Sequence, residues 1–227
     1  MTRVLTTATA GLATLAIILS GCSASPKTAP ATSNSASPSG SANVTTSSRP
    51  NIAGPNKTIN DYITENNIAE TPIKPNDPGT PDFDFPFPPG WSSAGDKTPP
   101  WAYGAIVYDK PADPSDPPTM IAIASKLTGN VDPAMILKYA PSQLLNLPDF
   151  KPLGEPEKSS LSGFEAIQSA GTYTHEGKAR VVAQKTVIIP GKDALFVLQL
   201  NADALQGQEQ VVIDAADVIE AQTKITA

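Results

Sequence analysis

The sequence predicts an α+β domain in which an antiparallel sheet is flanked by helices. Six segments have the apolar pattern of strands, whereas only three carry helical periodicity or helix-start signals. Two of the strands, residues 164–174 and 180–189, are joined by the turn-rich residues 175–178, which favours a hairpin. Because tight links pair neighbouring strands antiparallel, we expect the helices to pack on the faces of the sheet.

Local signals place the first two helices. Thr58 can cap a short helix, because Asp61 lies three residues further on and apolar positions follow the cap. Asp132 followed by Pro133 is a typical helix start, an N-cap before proline at the first helical position. Pro141 is expected to kink or divide this second helix.

The last helix and the strands follow from apolar periodicity. Residues 208–223 form a helix whose apolar side chains recur at three- and four-residue spacing in one stripe: Val211, Val212, Ala215, Val218 and Ile219. The strands are predicted at residues 82–85, 103–108, 120–127, 164–174, 180–189 and 193–201.

Residues 1–21 have the composition of a cleavable export signal. Arg3 is the only charged side chain before Cys22, and the apolar run 4–19 is shorter and weaker than a spanning helix requires. The run ends in a lipobox, Leu19-Ser20-Gly21-Cys22, and Cys22 is the only cysteine in the chain. We therefore predict cleavage before Cys22 and a diacylglyceryl group on its thiol. The alternative is an ordinary signal peptide with an incidental cysteine.

Residues 22–55 form a low-complexity tether behind the lipidated cysteine. Ser, Thr, Ala, Pro and Asn dominate, and such a segment cannot bury enough apolar area to form a core. A plain linker is favoured over an O-glycosylated stalk. The remaining residues, 56–227, are enough for one domain, which we expect to be a monomer.

The charge balance excludes some partners. Lys and Arg number 16 against 22 Asp and Glu, a net charge of −6, and cleavage removes Arg3. An acidic domain does not suit a phosphate backbone, so no nucleic-acid partner is expected. A basic membrane-binding patch is equally excluded, which leaves the lipid on Cys22 as the attachment to the outer face of the cell membrane.

No enzyme motif is present in the chain. His175 is the only histidine and lies in the predicted hairpin turn, where a Ser-His-Asp arrangement would be solvated. The patterns G-x-S-x-G, P-loop and H-E-x-x-H are absent. We therefore predict no catalytic residues, no metal and no cofactor.

Two groups of carboxylates could in principle bind a cation. Asp82 and Asp84 share one face of a strand, and Asp109, Asp113 and Asp116 surround a proline-rich loop. For both groups a solvated surface is the favoured interpretation.

The stretch 83–103 is unusually aromatic and proline-rich for a loop region. Its rings are Phe83, Phe85, Phe87, Trp91, Trp101 and Tyr103. Trp and Tyr combine apolar area with a polar tip, which suits a glycolipid with sugar on the ring face and acyl chain in a pocket. Trp91, Trp101 and Tyr103 are the candidate ligand-binding residues. The alternative is that these rings cap the core.

Three segments carry a family resemblance: NKTINDYITENNIAETPI (56–73), PADPSDPPTMIAIASKLTGNVDPAMILKYAPSQLLNLPDF (111–150) and VAQKTVIIPGKDALFVLQLNADAL (182–205). They resemble the mycobacterial LpqN/LpqT lipoprotein family, most closely its LpqN type. The resemblance implies a Mog1/PsbP-like fold, anchoring in the mycobacterial envelope, and a role near trehalose-linked mycolic lipids and their RND-type membrane exporters. It supplies no catalytic residue, and only Cys22 carries over.

These observations leave three functions. The first is a non-enzymatic envelope lipoprotein that binds mycolate or trehalose glycolipids, or acts with their exporters. The second is a lipoprotein that contacts only proteins, either of the envelope or, after release or surface exposure, of a host. The third, a glycolipid hydrolase, is the weakest. An apolar pocket near residues 91–103 would favour the first over the second.

Replacing Cys22 with Ala should abolish lipidation and retention in the membrane fraction, because the mature chain offers no other anchor. Labelled palmitate and cell fractionation measure the two effects. Label incorporated into the Cys22→Ala protein would contradict the lipobox interpretation.

Overall fold

The computed structural model describes residues 52–227. The predictions for the export signal, for Cys22 and for most of the tether fall outside these described residues. Within them, none of the helices has the length and apolar character needed to cross a bilayer.

The elements confirm the α+β class. Helices are α1 (Ile59–Glu65), α2 (Pro133–Tyr139), α3 (Ser142–Leu145) and α4 (Glu209–Gln222). Strands are β1 (Ala69–Pro72), β2 (Asp82–Asp84), β3 (Trp91–Ser93), β4 (Gly104–Tyr108), β5 (Thr119–Thr128), β6 (Lys151–Pro152), β7 (Glu157–Leu161), β8 (Phe164–His175), β9 (Lys178–Pro190), β10 (Leu195–Leu205) and β11 (Lys224–Thr226).

One large antiparallel sheet dominates the domain. It has nine strands in the order β3-β4-β5-β10-β9-β8-β6, with β1 also paired to β5 and β7 also paired to β8. Strands β2 and β11 form a separate two-stranded ribbon. The hairpin between β8 and β9 turns through only two residues, Glu176 and Gly177, both at positive φ, instead of the four predicted. Such a pair of left-handed residues matches the twist of the strands.

Two predicted helix starts are confirmed in atomic detail. The Asp61 amide donates to Thr58 Oγ1 at 3.3 Å, and the Thr58 amide donates to Asp61 Oδ2 at 2.8 Å, which completes a capping box. Asp132 Oδ1 accepts from the Ala134 amide at 2.9 Å. Pro141 ends the second helix and begins the short α3, so it divides the predicted segment.

Where the chain enters the domain, hydrogen bonds to the Asn146 side chain, just after α3, hold residues 52–56. We call this set of bonds the clasp. The Asn146 amide group donates to the carbonyls of Ile52 at 3.2 Å and Asn56 at 2.8 Å, and its Oδ1 accepts from the Asn56 amide at 3.0 Å. A Cβ at Gly54 would meet the Asn146 side chain at 2.4 Å. Only glycine therefore allows this close approach.

Alternation along β10 separates the core into two faces. Leu195 and Val197 point to one face and pack with α1 and α2. Phe196 and Leu198 point to the other face, where they meet the β2–β11 ribbon through Phe83. Further along that second face, a third cluster buries residues of α4: Met120, Val181, Ala202 and Ala204 lie with Val212 and Ala215.

The proline- and aspartate-rich loop before β5 is fastened by ion pairs. Arg180 Nη1 donates to both carboxylate oxygens of Asp116, at 2.9 and 2.8 Å, and Arg180 Nε donates to Asp203 at 2.7 Å. Lys178 also pairs with Asp116 at 2.9 Å, while Tyr173 donates its hydroxyl to Asp203 at 2.6 Å. The other two loop carboxylates also have partners: Asp113 lies 3.7 Å from Lys178, and Asp109 accepts from the Ser92 hydroxyl at 2.6 Å.

Val212→Asp should lower the free energy of unfolding by about 3–5 kcal/mol, because it places an unpaired carboxylate in a buried position of the α4 stripe. Urea denaturation measures the change. Its neighbour provides the control: Ile213 is 49 % exposed, so Ile213→Asp should change stability by less than about 1 kcal/mol. Equal losses of stability from the two substitutions would show that α4 does not pack on the sheet through Val212.

Asp116→Asn should lower the free energy of unfolding by about 1–3 kcal/mol at neutral pH, because Asp116 receives charge-assisted hydrogen bonds. Lys178 and Arg180 lower the pKa of Asp116 below its ordinary value of 3.8. The stabilisation is therefore complete above that value and is lost as the pH falls below it. Denaturation curves of the wild type and the variant should converge in acid, and a constant difference down to pH 2 would contradict the ion-pair assignment.

Candidate ligand-binding groove

An open groove of about 860 Å³ lies on the sheet face that carries α4. One wall is α4, through Ile213, Ala216 and Ile219, and another is the aromatic segment that follows β2. Strands of the large sheet form the floor. A volume of this size is typical of small-molecule sites, which are mostly apolar and concave.

Strand register arranges the floor in two rows that cross the sheet. The first row, from β4 to β7, is Gly104, Ala122, Leu200, Lys185, Gln168 and Glu157. The second row, from β4 to β8, is Ile106, Met120, Ala202, Ala183 and Ala170. Every member of both rows lines the groove. The long axis of the site therefore runs across the strands.

Small side chains leave the space open. Gly104, Ala122, Ala183 and Ala170 stand in floor positions, whereas the same face carries Phe196 and Leu198 beneath the ribbon. A Cβ added at Gly104 would meet no heavy atom within 4 Å. The groove is thus produced by the choice of residues along otherwise regular strands.

Polarity changes along the first row. Gly104, Ala122 and Leu200 are apolar, whereas the β9, β8 and β7 positions that follow are polar. Lys185 Nζ lies 2.7 Å from Glu220 Oε2 on α4 and donates to Ser159 Oγ at 2.9 Å. Gln168 Nε2 donates to Glu157 at 3.3 Å. One end of this row is therefore apolar, and the other presents amide, ammonium and carboxylate groups.

Aromatic rings build the wall at the apolar end. The Tyr103 ring stands edge-on to Phe83 at 5.1 Å, and Phe85 stacks on Phe83 at 5.9 Å. Partial burial of Tyr103, together with the nearby Asp82 carboxylate, raises the pKa of its hydroxyl. At neutral pH this wall therefore presents a neutral phenol.

The mouth of the groove has an apolar rim. Phe87, Leu153 and Ile213 are 62 %, 66 % and 49 % exposed, and all three line the groove. Among residues 52–227 only Leu145 joins them as an exposed large apolar side chain. Exposed apolar groups gathered at one concave site indicate a binding surface.

The structure separates the three aromatic candidates of the sequence analysis. Tyr103 lines the groove. Trp91 is buried in the α4 cluster with its ring 5.7 Å from Tyr108, so it serves the core. Trp101 is partly exposed and does not line the groove.

Other candidates lie outside the groove or on its edge. His175 is an exposed residue at the end of β8, and Asp82 and Asp84 are exposed on either side of the buried Phe83. No group of three or more His, Cys, Asp or Glu side chains in the described part of the chain could hold a metal ion.

Sequence reasoning missed the floor rows and the Ser159–Lys185 pair. The only signal in the sequence was small residues at core-facing strand positions, and reading it requires the register.

Comparisons with known proteins agree on one family. A family model described as "Probable lipoprotein LpqN" matches residues 55–226. The chain is 53% identical over 176 residues to Lipoprotein LpqN of Mycobacterium tuberculosis (strain ATCC 25618 / H37Rv), which covers 77% of this chain and 76% of that relative. It is also similar to a crystal structure of LpqN "involved in cell envelope biogenesis of Mycobacterium tuberculosis", with a TM-score of 0.73 and 52% identity, covering 77% of this chain and 100% of that one.

Proposed function

The chain belongs to the LpqN lipoprotein family, and on that premise we propose that it is a non-enzymatic module whose groove binds an amphipathic lipid of the cell envelope. A lipoprotein of this family is a membrane-associated envelope protein. The Mycobacterium tuberculosis relative is described as involved in cell envelope biogenesis. The finer steps, anchoring through Cys22 at the outer face and binding of a glycolipid, are part of the proposal.

The change of polarity along the groove is the observation that carries this function. An acyl chain fits the apolar half, over Gly104, Ala122 and Leu200, where each buried CH₂ contributes about 0.8 kcal/mol. A headgroup with hydroxyls fits the other half, where Gln168 and Glu157 offer hydrogen-bonding partners. Ligands with one apolar and one polar part match this order.

Trehalose-linked mycolic lipids are the ligands that the family resemblance suggests. They combine long acyl chains with a sugar headgroup, as the two halves of the groove require. A lipid carrier at the outer face would act next to the RND-type exporters that deliver such lipids. The tether predicted between Cys22 and the domain would give the groove room to reach them.

The polar end of the groove favours binding over hydrolysis. Ser159 and Lys185 are in contact, which in an esterase would demand a neutral lysine that removes the serine proton. In the structure Lys185 Nζ instead forms an ion pair with Glu220 at 2.7 Å and donates to Ser159 Oγ at 2.9 Å. This is the arrangement of a hydrogen-bond donor to the serine and not of its base.

Gly104→Leu should weaken binding of an alkyl-trehalose by roughly tenfold or more, because the new side chain occupies space that about two CH₂ groups of the ligand would fill. Calorimetry on the Cys22→Ala form of the mature chain measures the affinity without competition from the attached lipid. A Cβ at Gly104 meets no heavy atom within 4 Å, so the backbone accepts a side chain here, and thermal denaturation of Gly104→Leu checks that the fold is retained.

Gly104→Ala is the graded control and should reduce the affinity only slightly. An alkyl-trehalose that gives no heat with the unsubstituted groove, or that binds Gly104→Leu equally well, would contradict lipid binding in this groove. Protein contact through the apolar rim would then be the better explanation of Phe87, Leu153 and Ile213.

A further inference from the structure

We infer that the groove discriminates against lipids with an anionic headgroup. This inference rests on the proposed function, because it concerns which lipids the same groove selects. The evidence for it is the charge of the side chains that line the groove, an observation separate from the apolar character of the floor.

Acidic side chains outnumber basic ones in the groove. Five carboxylates line it, and Lys185 is the one lysine, arginine or histidine among the lining residues. The carboxylates are Asp84, Glu155, Glu157, Asp217 and Glu220. A phosphate headgroup entering the polar end would therefore meet a field of its own sign.

Lys185 is not available to offset this field. Its ammonium already lies 2.7 Å from Glu220 and 2.9 Å from Ser159, and its side chain is only 12 % exposed. The positive charge of Lys185 and the negative charge of Glu220 cancel each other. The other four carboxylates form no ion pair with any described residue. Asp84 faces Lys224 across the β2–β11 ribbon, so the charge without a neighbouring cation in the groove is that of Glu155, Glu157 and Asp217.

The arrangement of Glu157 suits hydroxyl groups. It is exposed at the end of the first floor row, and the Gln168 amide donates to one of its oxygens at 3.3 Å. A carboxylate has about four lone-pair sites, so Glu157 retains acceptors for sugar hydroxyls. Glu155, also exposed, lies two residues away in the loop before β7. Hydroxyl donors are therefore stabilised where phosphate oxygens are repelled.

Two amphiphiles with the same dodecyl chain test the inference: dodecyl maltoside and dodecyl phosphate, each below its micelle concentration, titrated into the Cys22→Ala form of the mature chain. We expect the maltoside to bind roughly tenfold or more tightly at low salt, because like-charge contact is costly at a desolvated site. The ratio should shrink at high salt, where exposed charges are screened.

A matched pair of double variants assigns the effect to the groove. Glu155→Gln with Glu157→Gln should strengthen dodecyl phosphate binding severalfold and weaken maltoside binding, because an amide oxygen accepts hydrogen bonds from hydroxyls less strongly than a carboxylate does, so the preference for the maltoside should narrow. Glu165→Gln with Glu176→Gln alters the net charge equally, but Glu165 and Glu176 do not line the groove, so the phosphate affinity should change little.

Equal binding of both amphiphiles by the wild type would overturn the discrimination while leaving the lipid-binding function intact. An equal gain in phosphate binding by the control pair would also overturn it, since the effect would then come from overall charge. Failure of both amphiphiles to bind would refute the lipid-binding groove itself, and the inference with it.

Discussion

The antiparallel register of β8, β9, β10 and β5 is the constraint on which the rest of the structure depends. Side chains alternate across a strand, so register decides which residues meet α1 and α2 and which meet α4. Along β10, Val197 and Leu198 are neighbours in sequence but belong to opposite cores. A slip of one residue would place Lys185 and Gln168 among the buried apolar groups beneath α1 and α2. The groove and the core are thus fixed by one set of hydrogen bonds.

Much of this architecture could be predicted from the sequence because its longest elements have strong local signals. The capping box at Thr58, the helix start at Asp132 and the division at Pro141 are short-range features, and each is found as expected. Strands β1, β3, β6, β7 and β11 escaped prediction because they are short. Their sequences lack alternation, as EKSSL in β7 shows. Strands β1, β6 and β7 form because the long neighbours β5 and β8 supply a template of unpaired backbone groups.

The binding site was less accessible to sequence reasoning than the fold. Aromatic clustering led to Tyr103, which lines the groove, but gave the same weight to Trp91, which is buried in the core. The floor rows draw residues from strands up to about one hundred positions apart in the chain, such as Gly104 and Leu200. Neither composition nor local sequence pattern shows that these residues are neighbours in the sheet. Only the pairing of strands shows that a polar lysine and a row of small residues share one surface.

The clasp between Asn146 and the entering chain has a mechanical consequence. If the chain is anchored through Cys22, as proposed, any pull from the membrane or the wall acts as tension on the amino-terminal side of the domain. The first described contacts to receive this tension are the hydrogen bonds from Asn146 to Ile52 and Asn56, which lie outside the sheet. With the proposed anchor, load would enter the fold beside α3. The strands that shape the groove lie further along the chain, so these hydrogen bonds would bear the tension before the groove does.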